Sequence, residues 1–194
     1  MSFSGAVLTG GAGRRMGATA LPKPLLDLAG RPLAAYPTAA LVGAGAVEVL
    51  AIGGGAEAAE GLRGLGMSGV DDPYRGRGPL GGIVRALEVA TAPLVAVLGC
   101  DTPFVTVATV MRLVQAAGDR GSIAATSGRL EPLIAVYGRP LLGELVAALD
   151  ADGAVHRAVG RLGLPTVELD PDEALNVNTP ADLEEAARRL RLRG

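Results

Sequence analysis

Two segments of this chain carry the residue types that bind phosphates and a metal ion. Residues 5–17 read GAVLTGGAGRRMG, and Lys23 follows in ALPKPLLDLAG. The apolar run Ala6-Val7-Leu8 ends in clustered glycines, where a backbone without Cβ atoms can approach a ligand closely. Successive exposed amides in such a turn form an anion-binding nest. Arg14, Arg15 and Lys23 add full positive charges, and arginine grips phosphate oxygens in a bidentate fork. The second segment, PLVAVLGCDTPF at residues 93–104, ends the apolar run Leu94–Leu98 in Asp101. Runs of that kind suit a strand covered on both faces of a parallel sheet, and ligands collect at the carboxyl ends of such strands. A carboxylate there can hold Mg²⁺ against substrate phosphates. A triphosphate cradle beside a metal ligand is the equipment for moving a nucleotide.

Each segment also has a plainer reading. The first is neither G-x-x-x-x-G-K-[S/T] nor a dinucleotide fingerprint, since Met16 stands where the third glycine belongs. It would serve equally as a tight strand-to-helix connection with solvated arginines. Asp101 would serve as the cap of a helix beginning near Val105. Gly78-Pro79-Leu80-Gly81-Gly82 opens a helix, and its amides suit a phosphate or base. Asp72–Gly78, DPYRGRG, has the composition of a lid whose arginines either meet phosphate or stay in water. His156 is the sole histidine and reads as structural. Cys100, the single cysteine, reads as a small buried filler.

The elements that must position these residues alternate. Val47–Ile52, Met67–Val70, Leu94–Leu98 and Ser122–Thr126 read as strands, and Leu33–Val42, Ala56–Leu65 and Leu80–Ala90 as helices, with Pro37 kinking or delaying the first. That βαβ order predicts an α/β fold, a mostly parallel sheet layered by helices. Leu130–Tyr137 alternates as a strand that would fit an antiparallel place, with Pro132 near its start. Helices are expected over Leu141–Leu149 and Val155–Leu162, and a last strand over Pro165–Leu169. A closing helix spans Ala181–Leu192, capped by Thr179 with Pro180 in its first turn.

Bulk composition sets the outer bounds. With 194 residues, 49% of them hydrophobic and 20% charged, one domain over residues 1–194 with a full core is the expectation. A net charge of −2 without a basic face argues against nucleic-acid partners. No stretch reads as a signal peptide or a membrane span, and one cysteine excludes an internal disulfide. The expected setting is the cytoplasm.

LTGGAGRRMG (8–17), Lys23, GPLGG (78–82), CDTPF (100–104) and NVNTPADL (176–183) closely resemble the molybdenum cofactor guanylyltransferases of the MobA type. These elements recur in the family's order along almost the whole chain. The resemblance implies a nucleotide-diphospho-sugar transferase-like domain, a three-layer sandwich with a mixed, mostly parallel sheet and a Rossmann-like N-terminal half. It implies Mg²⁺ as cofactor, GTP and molybdopterin as substrates, and transient contacts with molybdoenzymes and cofactor-assembly proteins. By resemblance, Leu8, Gly10, Gly11, Gly78, Pro79, Leu80 and Gly81 bind the nucleotide, and Arg15, Lys23 and Asp101 bind it and carry the catalysis. Asp101 and Asn178 hold the metal, while Asn176, Asn178 and Arg157 border the acceptor. Asp71 or Asp72 reads guanine, whose N1–H and N2–H₂ are paired donors, and spacing does not choose between them.

One departure is visible. The family usually has an Asp-Lys pair three residues after Met-Gly, whereas Ala18-Thr19-Ala20-Leu21-Pro22 intervene here. Pro-Lys-Pro-Leu-Leu is more similar to the loop of sugar-phosphate nucleotidyltransferases. It leaves open CTP with the pterin cofactor, or a nucleotide with a sugar or small-alcohol phosphate. A non-enzymatic module that binds nucleotide and delivers or regulates the cofactor is another reading, weakened by the joint presence of Arg15, Lys23, Asp101 and Asn178. A purely structural α/β domain comes last.

Overall fold

The structure is a computed structural model that describes residues 2–10 and 21–193. Seven strands form one mixed sheet in the order β5-β4-β1-β6-β8-β7-β9. They are β1 (Phe3–Leu8), β4 (Val49–Ile52), β5 (Ser68–Val70), β6 (Leu94–Gly99), β7 (Gly121–Thr126), β8 (Arg129–Gly138) and β9 (Thr166–Glu168). β5, β4, β1 and β6 run parallel, and β8 is antiparallel to both of its neighbours. A small hairpin, β2 (Asp27–Leu28) with β3 (Arg31–Pro32), stands apart from this sheet.

Period-two alternation divides the central strands between two apolar layers. Val7, Val49, Ala51, Ala96 and Leu98 face one side, where α1 (Ala35–Gly43), α2 (Gly55–Gly64) and α4 (Val107–Ala116) supply Leu41, Leu62 and Leu113. Ala6, Leu50, Ile52, Val95 and Val97 face the other, covered by Leu87 of α3 (Gly78–Val89), Leu145 of α5 (Leu142–Asp150) and Val159 of α6 (Val155–Gly160). Each large aliphatic side chain so buried stabilises the sandwich by about 1.5–3 kcal/mol before entropy is counted. A third cluster joins Leu28 of the hairpin to Phe104, Val177 and Ala186 of α7 (Pro180–Arg193).

Three details differ from the sequence reading. α1 begins at Ala35 and not Leu33, which puts Pro37 in the first turn, where its missing N–H has no intrahelical partner to lose. α4 begins at Val107 under a capping box of Thr106 and Thr109, so Asp101 is not its cap. The β2–β3 hairpin, two residues to a strand, has no periodicity to announce it. The expected cap of α7 is present: Thr179 Oγ1 accepts from the Asp182 N–H, and Asp182 Oδ2 accepts from Thr179 N–H.

Candidate active site

β1 and β6 lie side by side, with Leu8 opposite Gly99. The sheet runs toward β4 on one side of this pair and toward β8 on the other. Such a point leaves a crevice beyond the carboxyl ends of the strands. An open cleft of about 1020 Å³ occupies it. The Cys100 N–H donates to the Leu8 carbonyl across its floor.

The charged centre of the cleft is built from three distant parts of the chain. Asp101 follows β6 on a turn closed by the Thr102 hydroxyl, which donates to the Gly99 carbonyl at 2.8 Å. A Cβ on residue 99 would come within 2.5 Å of Asp101 Oδ1, so this carboxylate needs glycine two residues before it. Lys23 opens a 3₁₀ turn, Lys23–Leu25, between Pro22 and Pro24. The Pro24 carbonyl accepts from Ala34 N–H, fastening the turn to the start of α1. Asn178 arrives because Val177, fully buried beside Phe104, donates its N–H to the Asp101 carbonyl at 2.9 Å. The Lys23 ammonium then donates to Asp101 Oδ2 at 2.7 Å and to Asn178 Oδ1 at 3.0 Å. Behind Asn178, Asp182 Oδ2 accepts from its N–H at 2.9 Å. That hydrogen bond, then those from Thr179, and the Lys23 charge hold the Asp182 carboxyl below the ordinary carboxylate range.

The other arm of the cleft is built on glycine. Gly53, Gly54 and Gly55 follow β4, and Ala56 and Glu57 continue the lining into α2. Gly53 has φ of +83°, and a Cβ there would sit 3.3 Å from Gly10 Cα and 3.5 Å from Asp72 Oδ2. Asp72 faces this arm, its Oδ1 accepting from Tyr74 N–H at 2.9 Å. Asp71 points away, its side chain 90% exposed and paired only loosely with Arg75 at 3.7 Å. The geometry thus separates the two neighbouring aspartates, which spacing left equivalent. Arg75, Gly78, Pro79 and Gly82 complete the rim.

Leu8, Gly10, Lys23, Asp72, Gly78, Pro79, Asp101 and Asn178 therefore meet at one cleft. Leu80 and Gly81 are buried beneath it, with residue 81 held to glycine by the Tyr74 Cβ, 2.6 Å from where its own Cβ would stand. Asn176 is exposed outside the lining, and Arg157 and His156 are exposed on α6. Gly11, Arg14 and Arg15 lie outside the described residues. The sequence reading passed over Gly53–Glu57, Gly99 and Leu133. For the first group a signal was there to find, a glycine run at the end of an apolar strand like that after β1. Cys100 lies at the cleft floor, yet burial pushes its thiol up to about 12, which makes it an inert filler.

Among the described residues no three His, Cys, Asp or Glu side chains converge as a metal cluster. The oxygen donors brought together are one carboxylate and one amide, already arranged around a cation, the Lys23 ammonium. Mg²⁺ favours oxygen ligands and takes few from protein when phosphates supply the rest, so the donor set fits it. No helix among the described residues is long and apolar enough to cross a membrane.

Comparison with known proteins supplies the family. The chain is 33% identical over 200 residues to a molybdenum cofactor guanylyltransferase of Cereibacter sphaeroides, covering 98% of each. It is 35% identical to that of Rhodopseudomonas palustris, covering 94% of this chain and 91% of the relative. Among solved structures, molybdopterin-guanine dinucleotide biosynthesis protein A of Archaeoglobus fulgidus superposes with a TM-score of 0.75 at 25% identity, over 97% of this chain and 99% of that one. A nucleotidyl transferase of Methanothermobacter shares the fold with a TM-score of 0.83 at 22% identity, over 100% and 99%. The family described as the MobA-like NTP transferase domain matches residues 5–166, and this chain belongs to it.

Proposed function

We propose that this protein transfers GMP from GTP to the terminal phosphate of molybdopterin, releasing pyrophosphate, and that residues 1–194 work as one catalytic unit. The observation that carries the reading is the meeting of Lys23, Asp101 and Asn178 at the β1–β6 crevice, 2.7 and 3.0 Å apart across one ammonium. The relatives named for this reaction share its chain length and a third of its residues.

In this reading a phosphate oxygen of the acceptor attacks the α-phosphorus in line and the bond to pyrophosphate breaks. A phosphate is anionic near neutral pH, so no strong base is needed, and rate comes from positioning and charge neutralisation. Asp101 and Asn178 would hold Mg²⁺, which when bound neutralises charge on the reacting phosphates. Lys23, with Arg15 from the glycine loop, meets the departing pyrophosphate. Asp72 accepts from guanine N1–H and N2–H₂, and the Gly53–Gly55 run lets the base lie against backbone. Action in the cytoplasm, with hand-over to molybdoenzymes or cofactor-assembly proteins, belongs to the same reading.

The test is thermal stabilisation with Mg²⁺ and each of GTP, CTP, UTP and ATP, followed by transfer of α-labelled nucleotide to molybdopterin. Stabilisation by GTP alone with labelled product supports the reading. Stabilisation by CTP in place of GTP would overturn the base assignment and point to the cytidylyl alternative.

A further inference from the structure

Pro132 sits four residues into β8, a strand with neighbours on both sides. Proline interrupts a ladder and is tolerated inside a sheet only at a bulge. The register shows that bulge: Ile123 pairs with Ala135 and the next residue, Ala124, with Glu131. Pro132, Leu133 and Ile134 are thus looped out from β7, while Ile134 still pairs with Leu98 of β6. Tyr137, fully buried, donates its hydroxyl to the Pro132 carbonyl at 2.9 Å and fixes the loop. Bulges next to sites commonly re-aim a side chain. Here the side chain is Leu133, which lines the cleft beside Gly99, Cys100 and Asp101. Leu8 and Ile52, which also border the cleft, are buried, whereas Leu133 is only half-buried.

Position along the sheet says what Leu133 faces. The cleft runs over the strand ends from β5, where Asp72 follows, through β4, β1 and β6 to β8. At about 4.8 Å per strand, that is roughly 19 Å from the Asp72 end to Leu133. A nucleotide with its base at Asp72 and its α-phosphorus at Asp101 leaves the β8 end free for the acceptor. We propose that the Pro132 bulge, locked by Tyr137, makes Leu133 the apolar wall of the acceptor subsite, packing against the flat face of a heteroaromatic phosphate. The inference rests on the guanylyl-transfer reading and gives it a place for the pterin. Leu133 touches the acceptor, and Tyr137 is a positioning residue that acts through it.

The probe is 6-hydroxymethylpterin phosphate, followed by its own fluorescence anisotropy on the full chain with Mg²⁺ and a non-hydrolysable GTP analogue. Leu133→Ala should weaken pterin binding about tenfold, the scale of a few lost methylene contacts. Tyr137→Phe, which frees the Pro132 carbonyl, should weaken it by roughly fivefold. Leu133→Met, close in volume, should restore it. Calorimetric affinity for the GTP analogue should not change in any of the three. Equal pterin binding by wild type and both weakened variants overturns the wall, as does an equal loss of GTP affinity, which marks a general structural role. Failure of the wild type to bind the pterin while binding GTP overturns the pterin acceptor itself, and the wall with it.

Discussion

Lys23 bridges Asp101 and Asn178, partners 78 and 155 residues away in sequence, through one ammonium. Both members of the ion pair are largely shielded, with side chains 15% and 19% exposed. The oxygens suited to a divalent ion are therefore held in register by one ammonium. A metal ion held by the same oxygens would be repelled by this ammonium, so the two sets of contacts would oppose each other. In the proposed reading, nucleotide phosphates would offer Lys23 another partner, and Asp101 and Asn178 would then be free to hold the ion.

Removing either charge should disable the reaction without unfolding the protein. Asp101→Ala and Lys23→Met are each expected to lower kcat by about 10²–10³, the scale of losing one group that stabilises transition-state charge. Melting temperatures should fall, since each variant leaves one shielded partner unpaired, but that partner borders the open cleft and the fold should persist at assay temperature. Steady-state rates with a parallel melting curve decide it. Near-normal turnover in Asp101→Ala would remove the mechanism.

The exclusion of metal by lysine has its own signature. Mn²⁺, followed by the loss of its free-ion spin-resonance signal, should bind the wild type far better with GTP than without. Lys23→Met should bind Mn²⁺ alone more tightly than the wild type does, since a like charge has gone. Equal affinities of the two proteins for the bare ion would show that the ammonium does not guard the site.

Asp71 and Asp72 provide an internal control, being adjacent and chemically identical. Asp72→Asn should cost about 10–100-fold in GTP affinity, the value of a hydrogen bond to a charged acceptor, and relax discrimination against other bases. Asp71→Asn, altering a side chain that is 90% exposed, should leave both unchanged. Competition between GTP and ATP against each variant reads this directly. A loss in Asp71→Asn equal to that in Asp72→Asn would place the base elsewhere.

The layered architecture was legible because long apolar runs such as Leu94–Leu98 and the amphipathic helices between them repeat along the chain. Asp101 and Lys23 were legible from residue type beside glycine and proline. The choice between Asp71 and Asp72 was not, since one residue of backbone decides which carboxylate faces the cleft, and the Asp72 N-terminal-type bond to Tyr74 is set by the turn that follows. Arg157 and Asn176 show the opposite limit: a charged or polar residue near a motif says nothing of its direction, and both are exposed outside the cleft lining. Leu133 was invisible because a leucine in an alternating strand signals core. Only the displaced register around Pro132 turns it toward the cleft.

Acid should loosen the turn that carries Asn178 through Asp182 and the start of β1 through Glu48. The Asn178 N–H, then Thr179 and the Lys23 charge, lower the Asp182 pKa from its ordinary 3.8. At Glu48, burial works against ionisation, but hydrogen bonds from the Ser4 hydroxyl and the Thr91 N–H and hydroxyl outweigh it, so its pKa also falls from an ordinary 4.5. A carboxyl whose folded value is depressed contributes its full stability above the unfolded value and loses it as pH falls through the folded one. Stability should thus be level with respect to these two groups above about pH 5 and decline below about pH 4. Asp182→Asn and Glu48→Gln should each be less stable than the wild type at pH 7, with the gap closing as the wild-type carboxyl protonates. Urea midpoints at pH 7, 4 and 3 measure the gap. A gap that stays constant to pH 3 would mean that shape, and not charge, is what Asp182 supplies to the turn that carries Asn178.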